Sequence, residues 1–189
     1  TKGLVGSEMC IRDRVTAQHL QKVTGYIDAG EREGADVIVD GRSFKQDKQG
    51  YENGYFIGGT LLDNVQEDMS CYREEIFGPV LSVVRKKSYQ EAIDLIHTHE
   101  YANGTAIFTR DGDTARNFTL DIEVGMVGVN VPIPVPMAFH SFGGWKSSIF
   151  GDHAMHGMEG VRFYTRIKTT TRWPSGIRED PEFKMPTLG

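Results

Sequence analysis

Apolar residues near the start of the chain recur with the period of an α-helix. Between Thr16 and Glu33, three apolar side chains are spaced by three and four residues, which places them on one helical face: Leu20, Val23 and Ile27. Gly34 follows as a stop signal, since glycine commonly ends a helix. We therefore predict a helix over 16–33, then a short strand at Asp36–Val39 and a charged, glycine-rich loop over 40–54.

Short extended runs and helical runs alternate through the middle of the chain. Extended segments are predicted at Tyr55–Ile57, Thr60–Leu62, Pro79–Val84, Gly104–Phe108 and Val124–Val129, of which the third and fifth are apolar enough to be buried strands. Ser88 and Glu91 form a capping box, in which each side chain accepts a hydrogen bond from the other's amide. The helix that follows buries Ala92, Ile93, Leu95 and Ile96. Asp113 is predicted to cap a further helix that ends near Asp121.

This order of strand, helix and strand determines the predicted fold class. Parallel strands need a crossover connection, which is usually a helix, whereas antiparallel strands are joined by short turns. The alternation therefore predicts an α/β fold with a mostly parallel sheet and crossover helices.

The last periodic segment alternates with a period of two rather than that of a helix. Apolar Val161, Phe163 and Ile167, together with Thr165, alternate with Arg162, Tyr164, Arg166 and Lys168. We predict a long strand over Val161–Thr171, separated from the sheet by a loop rich in Gly and His. Such a strand is expected to pair outside its own domain, as an edge that adds to a partner subunit.

The composition narrows the class of protein. The chain has 189 residues, 39% of them hydrophobic and 25% charged, which is typical of a globular protein rather than of a disordered one. Its 21 Lys and Arg residues, against 26 Asp and Glu, form no long basic block, so we do not expect nucleic acid as a partner. No apolar run approaches the roughly 18 residues of a membrane span. We expect no membrane contact and a cytoplasmic location, or the mitochondrial matrix in a eukaryote.

Several residues are of types found in catalytic or metal-binding sites, but their spacing does not support such a role. Cys10 and Cys71 are expected to be free thiols, and Cys71 an inert buried one, because no histidine lies close to it in sequence. The histidine pairs of 97–99 and 153–156 lack the helical spacing and the third ligand of a zinc site, so we predict no metal. Gly143–Ser147 ends like a phosphate-binding loop but lacks the upstream glycine.

Three segments carry a family resemblance. Cys71–Pro79 contains Glu-x-Phe-Gly-Pro, Tyr101–Thr109 reads Tyr-Ala-Asn-Gly-Thr-Ala-Ile-Phe-Thr, and Ser141–Ser148 reads Ser-Phe-Gly-Gly-Trp-Lys-Ser-Ser. In this order they resemble motifs of the aldehyde dehydrogenase superfamily. Asn103–Phe108 and Gly128–Pro136 further resemble the CoA-acylating methylmalonate-semialdehyde branch. The chain departs from the family at Ser141, where many relatives have proline, and at Asp152-His153, where an Arg-Glu pair is common.

The resemblance also implies domain limits. It runs from about Val15 to Trp173, which corresponds to roughly the last third of a family member. Residues 15–150 would be the later part of the catalytic α/β domain, 151–173 a loop with the oligomerisation strand, and 174–189 a tail. Residues 1–14 do not resemble the family, and we predict a non-native or unstructured leader, the alternative being a variable loop.

The resemblance implies a chemistry that this chain carries only in part. In the family, an upstream cysteine thiolate attacks the aldehyde, NAD takes the hydride, and in the acylating branch CoA takes the acyl group. No residue of this chain is assigned as catalytic, so the chain alone is expected to be inactive. A hydrolytic aldehyde dehydrogenase, with water as acceptor, is one alternative. Another is a non-catalytic module that forms a homo-oligomer, in the family a homotetramer, through Val161–Thr171.

The implied site residues are three. Glu75 is expected to accept hydrogen bonds from the hydroxyls of the nicotinamide ribose, because a carboxylate can accept from both, and Phe77 to pack beside that ribose and the ring. Phe142 matches the aromatic at the mouth of the substrate tunnel, the alternative being an ordinary core residue. Glu74 is expected to be a solvated or salt-bridged acid.

Overall fold

The computed structural model describes residues 12–14, 16–47 and 49–171, and these fall into two compact units that divide after Ala92. The predicted tail, 174–189, and residues 1–11 of the predicted leader lie outside the described residues. The predicted limits of the domains therefore stay predictions. None of the helices in the described ranges combines the length and the apolar character needed to cross a membrane.

The first unit is built on a long helix with both of its ends capped. Helix α1 spans Ala17–Glu33, as predicted. It begins where the Thr16 hydroxyl accepts a hydrogen bond from the His19 amide at 3.1 Å. It ends at Gly34, whose φ of 107° lies in the left-handed region and whose amide donates back to the carbonyls of Gly30 and Glu31.

Five strands and a short helix complete the first unit. They are β1 (Arg12–Arg14), β2 (Asp36–Val39), β3 (Tyr55–Ile57), β4 (Thr60–Asp63), α2 (Ser70–Arg73) and β5 (Val80–Ser82). Strands β2, β4 and β5 form one sheet in that order, and β1 pairs with β3. Because β1 is antiparallel to β3, the last three residues of the predicted leader form regular structure.

The prediction of parallel pairing holds for one edge of this sheet and fails for the other. Strand β5 is parallel to β4, whereas β2 is antiparallel to it. The connection from β2 to β4 contains only a 3-10 turn at Gly41–Ser43 and strand β3, so no helix carries the chain back across the sheet. The predicted buried strand over 79–84 is also shorter than expected, and Leu81 in it is 63% exposed.

The core of the first unit lies between α1 and the sheet. Its fully buried side chains are Val23, Ile27, Leu62 and Val65. Full burial of each such side chain contributes about 1.5–3 kcal/mol. Gly30 permits the close approach, because a Cβ there would lie 3.0 Å from the Leu62 side chain.

The second unit has the predicted crossover. The chain division falls within helix α3 (Tyr89–Thr98), and the later elements are β6 (Tyr101–Ala102), β7 (Gly104–Ile107), α4 (Gly112–Asp121), β8 (Met126–Val129), β9 (Trp145–Lys146) and α5 (Met158–Tyr164). Strands β7 and β8 are parallel and joined through α4, which confirms that part of the prediction. The buried core of this unit is Ile93, Ala102, Phe118, Ile122 and Val124.

The helix caps differ in detail from the prediction. The Ser88 hydroxyl accepts from the Glu91 amide at 3.2 Å, but the Glu91 carboxylate accepts from the Lys87 amide at 3.0 Å rather than from Ser88. Helix α4 is capped by Asp111, whose carboxylate accepts from the Thr114 amide at 2.7 Å. The predicted cap, Asp113, lies inside the first turn instead, where its negative charge suits the helix dipole.

The predicted strand over Val161–Thr171 is wrong for its first part. Residues up to Tyr164 belong to helix α5, in which Glu159 forms an ion pair with Arg162 and lies within hydrogen-bond distance of His153 before the helix. A helix satisfies its own amides, whereas a strand needs a neighbour. Among the described strands, none pairs with residues 165–171. The alternation of apolar and polar residues was therefore not enough to form a strand here, because no described strand lies beside it to pair with.

Candidate functional site

The motif loop, defined as residues 74–79, connects α2 to β5 in the first unit. Ile76 at its centre is buried in the core, whereas Glu75 and Phe77 on either side of it are exposed. The loop thus has one anchor facing inward and three exposed side chains, Glu74, Glu75 and Phe77. Both residues predicted to contact the cofactor are among the three.

Phe77 is unusual in both its backbone and its exposure. Its φ is 54°, in the left-handed region, which costs a residue with a Cβ roughly 1–2 kcal/mol. Its side chain is 75% exposed, so burial of the ring within this unit does not offset that cost. A large apolar side chain held outward on a strained backbone is a feature of ligand-binding positions.

Glu75 has a carboxylate that is available to a ligand. It makes no hydrogen bond or ion pair with any other residue that the structure describes. An ionised carboxylate accepts through two oxygens, each with two lone pairs. The side chain is therefore suited to a vicinal diol, and no protein contact would have to be broken first.

Glu74 is fixed by a contact that the sequence did not predict. The Tyr26 hydroxyl of α1 donates a hydrogen bond to the Glu74 carboxylate at 2.5 Å. This hydrogen bond raises the pKa of Tyr26, because ionising the tyrosine would remove the donor and place two negative charges together. Glu74 is exposed, as expected of a solvated acid, and the sequence did not predict its partner, a neutral hydroxyl 48 residues away.

The other end of the motif loop also contacts α1. His19 Nε2 lies 3.0 Å from the carbonyl oxygen of Phe77, and because a carbonyl can only accept, that nitrogen must carry the proton. Gly78 packs against Val23, and a Cβ at Gly78 would lie 2.8 Å from both Val23 methyl groups. Glycine is thus required where the loop approaches the helix.

Phe142 lies in the second unit, at an apolar cavity of about 400 Å³. Its ring stacks on the imidazole of His156, with centroids 4.3 Å apart and planes within 6°. Other residues that line the cavity are Asn103, Met126, Val135, Met155 and Phe163. Phe142 is half-buried, so it belongs to a cavity wall rather than to the closed core of this unit.

Two glycines and a lysine fix the segment that carries Phe142. A Cβ at Gly125 would lie 1.8 Å from the Gly143 carbonyl oxygen, so the start of β8 and this segment are in backbone contact. Lys146 donates to the carbonyl oxygens of His97 at 2.6 Å and of His99 at 3.2 Å. The lysine of the Phe-Gly-Gly-x-Lys motif therefore anchors the segment to the end of α3.

The histidines of 153–156 take part in separate contacts. His153 Nδ1 lies 2.8 Å from a Glu159 carboxylate oxygen, whereas His156 stacks on Phe142. The His153 hydrogen bond, with help from Arg162, lowers the pKa of Glu159. Within the described ranges, no three His, Cys, Asp or Glu side chains are grouped as a metal site would need.

Cys71 is buried, as predicted. Burial raises the pKa of its thiol, and the nearby Glu33 carboxylate acts in the same direction. The nucleophilic form of a cysteine is the thiolate. A buried thiol with a raised pKa is a poor nucleophile, so Cys71 has the properties of a core residue.

Comparisons with known proteins agree with the motifs. The model of the aldehyde dehydrogenase family matches residues 14–170. The chain is 58% identical over 176 residues to the malonate-semialdehyde dehydrogenase of Pseudomonas aeruginosa, covering 92% of this chain and 35% of that protein. It is 47% identical over 178 residues to the mitochondrial methylmalonate-semialdehyde/malonate-semialdehyde dehydrogenase [acylating] of Bos taurus, covering 93% of this chain and 33% of the relative.

A solved structure matches the fold over a similar share of this chain. It is a Sinorhizobium meliloti protein complexed with NAD and assigned as a methylmalonate-semialdehyde dehydrogenase, with a TM-score of 0.81 and 60% identity over 87% of this chain and 33% of that one. The chain thus spans about a third of the length of the curated relatives that it matches.

Proposed function

This chain belongs to the aldehyde dehydrogenase family, and we propose on that basis that it supplies the nicotinamide-contacting loop of an NAD-dependent, CoA-acylating malonate- or methylmalonate-semialdehyde dehydrogenase. The observation that carries the proposal is the motif loop, which has an outward Phe77 ring and, two residues before it, an exposed Glu75 carboxylate without a partner among the described residues. The names of the relatives support the choice of substrate.

The residues of the motif loop fit NAD. Glu75 would accept hydrogen bonds from the two ribose hydroxyls next to the nicotinamide, and Phe77 would pack against the ribose and the ring. When bound, NAD accepts the hydride that leaves the substrate carbon. The part of Glu75 and Phe77 is to hold the nicotinamide in one orientation, which raises the rate by positioning rather than by proton transfer.

Phe142 has a separate place in the proposal. Its cavity is mostly apolar and is large enough for a small aldehyde. We assign Phe142 to the wall that receives the substrate and keeps water away from it. The acyl acceptor is proposed to be CoA, which the word "acylating" in the name of the bovine relative supports.

A second candidate role concerns assembly and follows from residues 165–171. Thr165 has an extended backbone, and Ile167 beyond it is 98% exposed. We propose that this segment pairs with a partner subunit in a homo-oligomer, as an added edge strand.

The test of the enzymatic proposal is a chimera. Residues 14–170 replace the matching segment of the Pseudomonas aeruginosa relative, and NADH formation is followed with malonate semialdehyde, NAD and CoA. Glu75→Gln removes the negative charge but keeps the shape. Because a hydrogen bond to a charged group contributes about 1.5–3 kcal/mol, we expect single-turnover hydride transfer to slow about tenfold or more.

Glu123→Gln is the matched control, because Glu123 is an exposed glutamate of the second unit whose side chain has no partner among the described residues. It should leave the rate unchanged. Equal single-turnover rates for Glu75→Gln and the unmodified chimera at saturating NAD would reject the assignment. Replacing CoA with water as the only acceptor separates the acylating reaction from the hydrolytic one.

A further inference from the structure

One face of α1 contacts the motif loop at three successive points. His19, Val23 and Tyr26 are spaced by four and then three residues, so their side chains lie on the same side of the helix. His19 contacts the Phe77 carbonyl at 3.0 Å, Val23 contacts Gly78, and Tyr26 bonds to the Glu74 carboxylate at 2.5 Å. The helix therefore contacts the loop before Glu75, at Glu74, and again at Phe77 and Gly78.

These contacts determine what the outward side chains can do. Among the residues that the structure describes, the side chains of Glu75 and Phe77 make no hydrogen bond or ion pair, and the ring contact of Phe77 is with His19, at 6.4 Å between centroids. Ile76 anchors the middle of the loop in the core, and backbone hydrogen bonds from Glu74 to Ser70 and from Thr60 to Pro79 hold its ends. The contacts of α1 with the Glu74 carboxylate and the Phe77 carbonyl restrain the stretch between those ends.

We infer that His19 and Tyr26 are positioning residues that hold Glu75 and Phe77 in the orientation needed for the nicotinamide ribose. The inference rests on the proposed function, in which these two residues contact the cofactor. Neither His19 nor Tyr26 touches the reacting atoms in this role. Each acts through the backbone or the carboxylate of the motif loop.

Tyr26 contacts Glu74 through its hydroxyl group, so its contribution can be tested by removing that group alone. Tyr26→Phe removes only the hydroxyl donor, and Glu74→Ala removes the acceptor. Glu74→Gln retains a carbonyl oxygen that can still accept from Tyr26, so it should rescue the contact. Tyr101→Phe removes a hydroxyl from an exposed tyrosine in the second unit and is the matched control.

The first measurement uses the full chain and records backbone ¹⁵N relaxation. We expect the amides of Glu75 and Phe77 to have order parameters of about 0.85 in the unmodified chain. In Tyr26→Phe and Glu74→Ala these should fall below about 0.6, with no change in the amides of α1. Glu74→Gln and Tyr101→Phe should retain the original values.

The second measurement uses the chimera and records single-turnover hydride transfer at saturating NAD. Tyr26→Phe should slow it severalfold, and Glu74→Gln should not. Unchanged order parameters in Tyr26→Phe would overturn the inference. A loosened loop with an unchanged rate would overturn it as well, because the contact would then serve stability alone.

The two proposals fail in distinguishable ways. If Glu75→Gln in the chimera has no effect on the rate, the cofactor role fails, whatever the relaxation data show. If Glu75→Gln slows the reaction while Tyr26→Phe changes neither order parameters nor rate, the cofactor role holds and the positioning role fails.

Discussion

At the scale of single residues, the backbone conformation of Phe77 is unfavourable for folding, whereas its exposed ring is suited to binding a ligand. A left-handed φ is unfavourable for phenylalanine but not for glycine. Most of the ring is exposed, so removing it sacrifices little buried area. The His19 contact is made to the backbone carbonyl and does not depend on the ring.

We therefore expect Phe77→Gly to increase the free energy of unfolding by about 0.5–1 kcal/mol, while NAD-dependent turnover of the chimera falls. Urea denaturation of the chain checks the first part. Phe108→Gly is the control, because Phe108 is similarly exposed, at 65%, and its φ is not positive. Equal destabilisation by the two substitutions would show that Phe77 carries no strain.

The site residues differ in how far the sequence could identify them. Glu75 and Phe77 lie in a contiguous motif, and their type and order were enough to single them out. Tyr26 could not be assigned in this way, because its partner is remote in sequence and a tyrosine on a helix has many ordinary uses. The spacing of His19, Val23 and Tyr26 was visible, but the loop that the face contacts was not.

At the scale of elements, Arg42 attaches α1 to the turn that follows β2. Its guanidinium contacts Asp28 at 2.5 Å and Glu31 at 2.8 Å on the helix, and Asp40 at 2.7 Å on the turn. The Arg42 hydrogen bonds hold the pKa of Asp40 below its usual range. One cation thus joins two elements through three carboxylates.

We expect Arg42→Met to lower the free energy of unfolding at pH 7 by about 1 kcal/mol, the upper end for exposed ion pairs. A carboxyl with a lowered folded-state pKa stabilises the fold above its unfolded pKa of about 4, and this contribution is lost as the pH falls through the folded value. The difference in the free energy of unfolding between the unmodified chain and Arg42→Met should therefore become smaller below about pH 4.

Arg110→Met serves as the comparison, because Arg110 is exposed and has no ion pair among the described residues. Denaturation curves for the unmodified chain and the two variants at pH 7 and pH 3 measure both effects. Arg110→Met should change the free energy of unfolding little at either pH. A constant difference across that interval would show that Arg42 acts through packing of its aliphatic stem.

The elements that the sequence predicted well are those whose signals are local. The extent of the first helix, its stop at Gly34 and the crossover through α4 depend on nearby residues, and the structure confirms them. The direction of β2 against β4 was not predictable from alternation, because it depends on how the intervening chain returns. The helix at 158–164 was missed for a related reason, since Glu159 in it contacts His153, which lies outside the alternating run.

At the scale of the whole molecule, exposed apolar side chains occur along much of the described chain, including its end. Phe163 and Ile167 are exposed, and residues 165–171 have no strand beside them among the described elements. The sequence predicted a pairing strand over Val161–Thr171, but its first part belongs to helix α5 and residues 165–171 form no strand in the structure. An extended segment with free backbone donors and acceptors adds readily to another sheet edge.

We therefore expect the chain to self-associate at micromolar concentration through this segment, because pairing satisfies the backbone and buries Ile167 together. Ile167→Lys places a charge at the centre of the contact and should shift the population toward monomer. Phe150→Lys is the control, since Phe150 is as exposed, at 96%, but lies outside the segment. Size-exclusion chromatography with light scattering measures the mass of each form. If Phe150→Lys dissociates the assembly to the same extent as Ile167→Lys, association results from general apolar exposure rather than from this segment. If the unmodified chain is a monodisperse monomer, the segment has no partner in another copy.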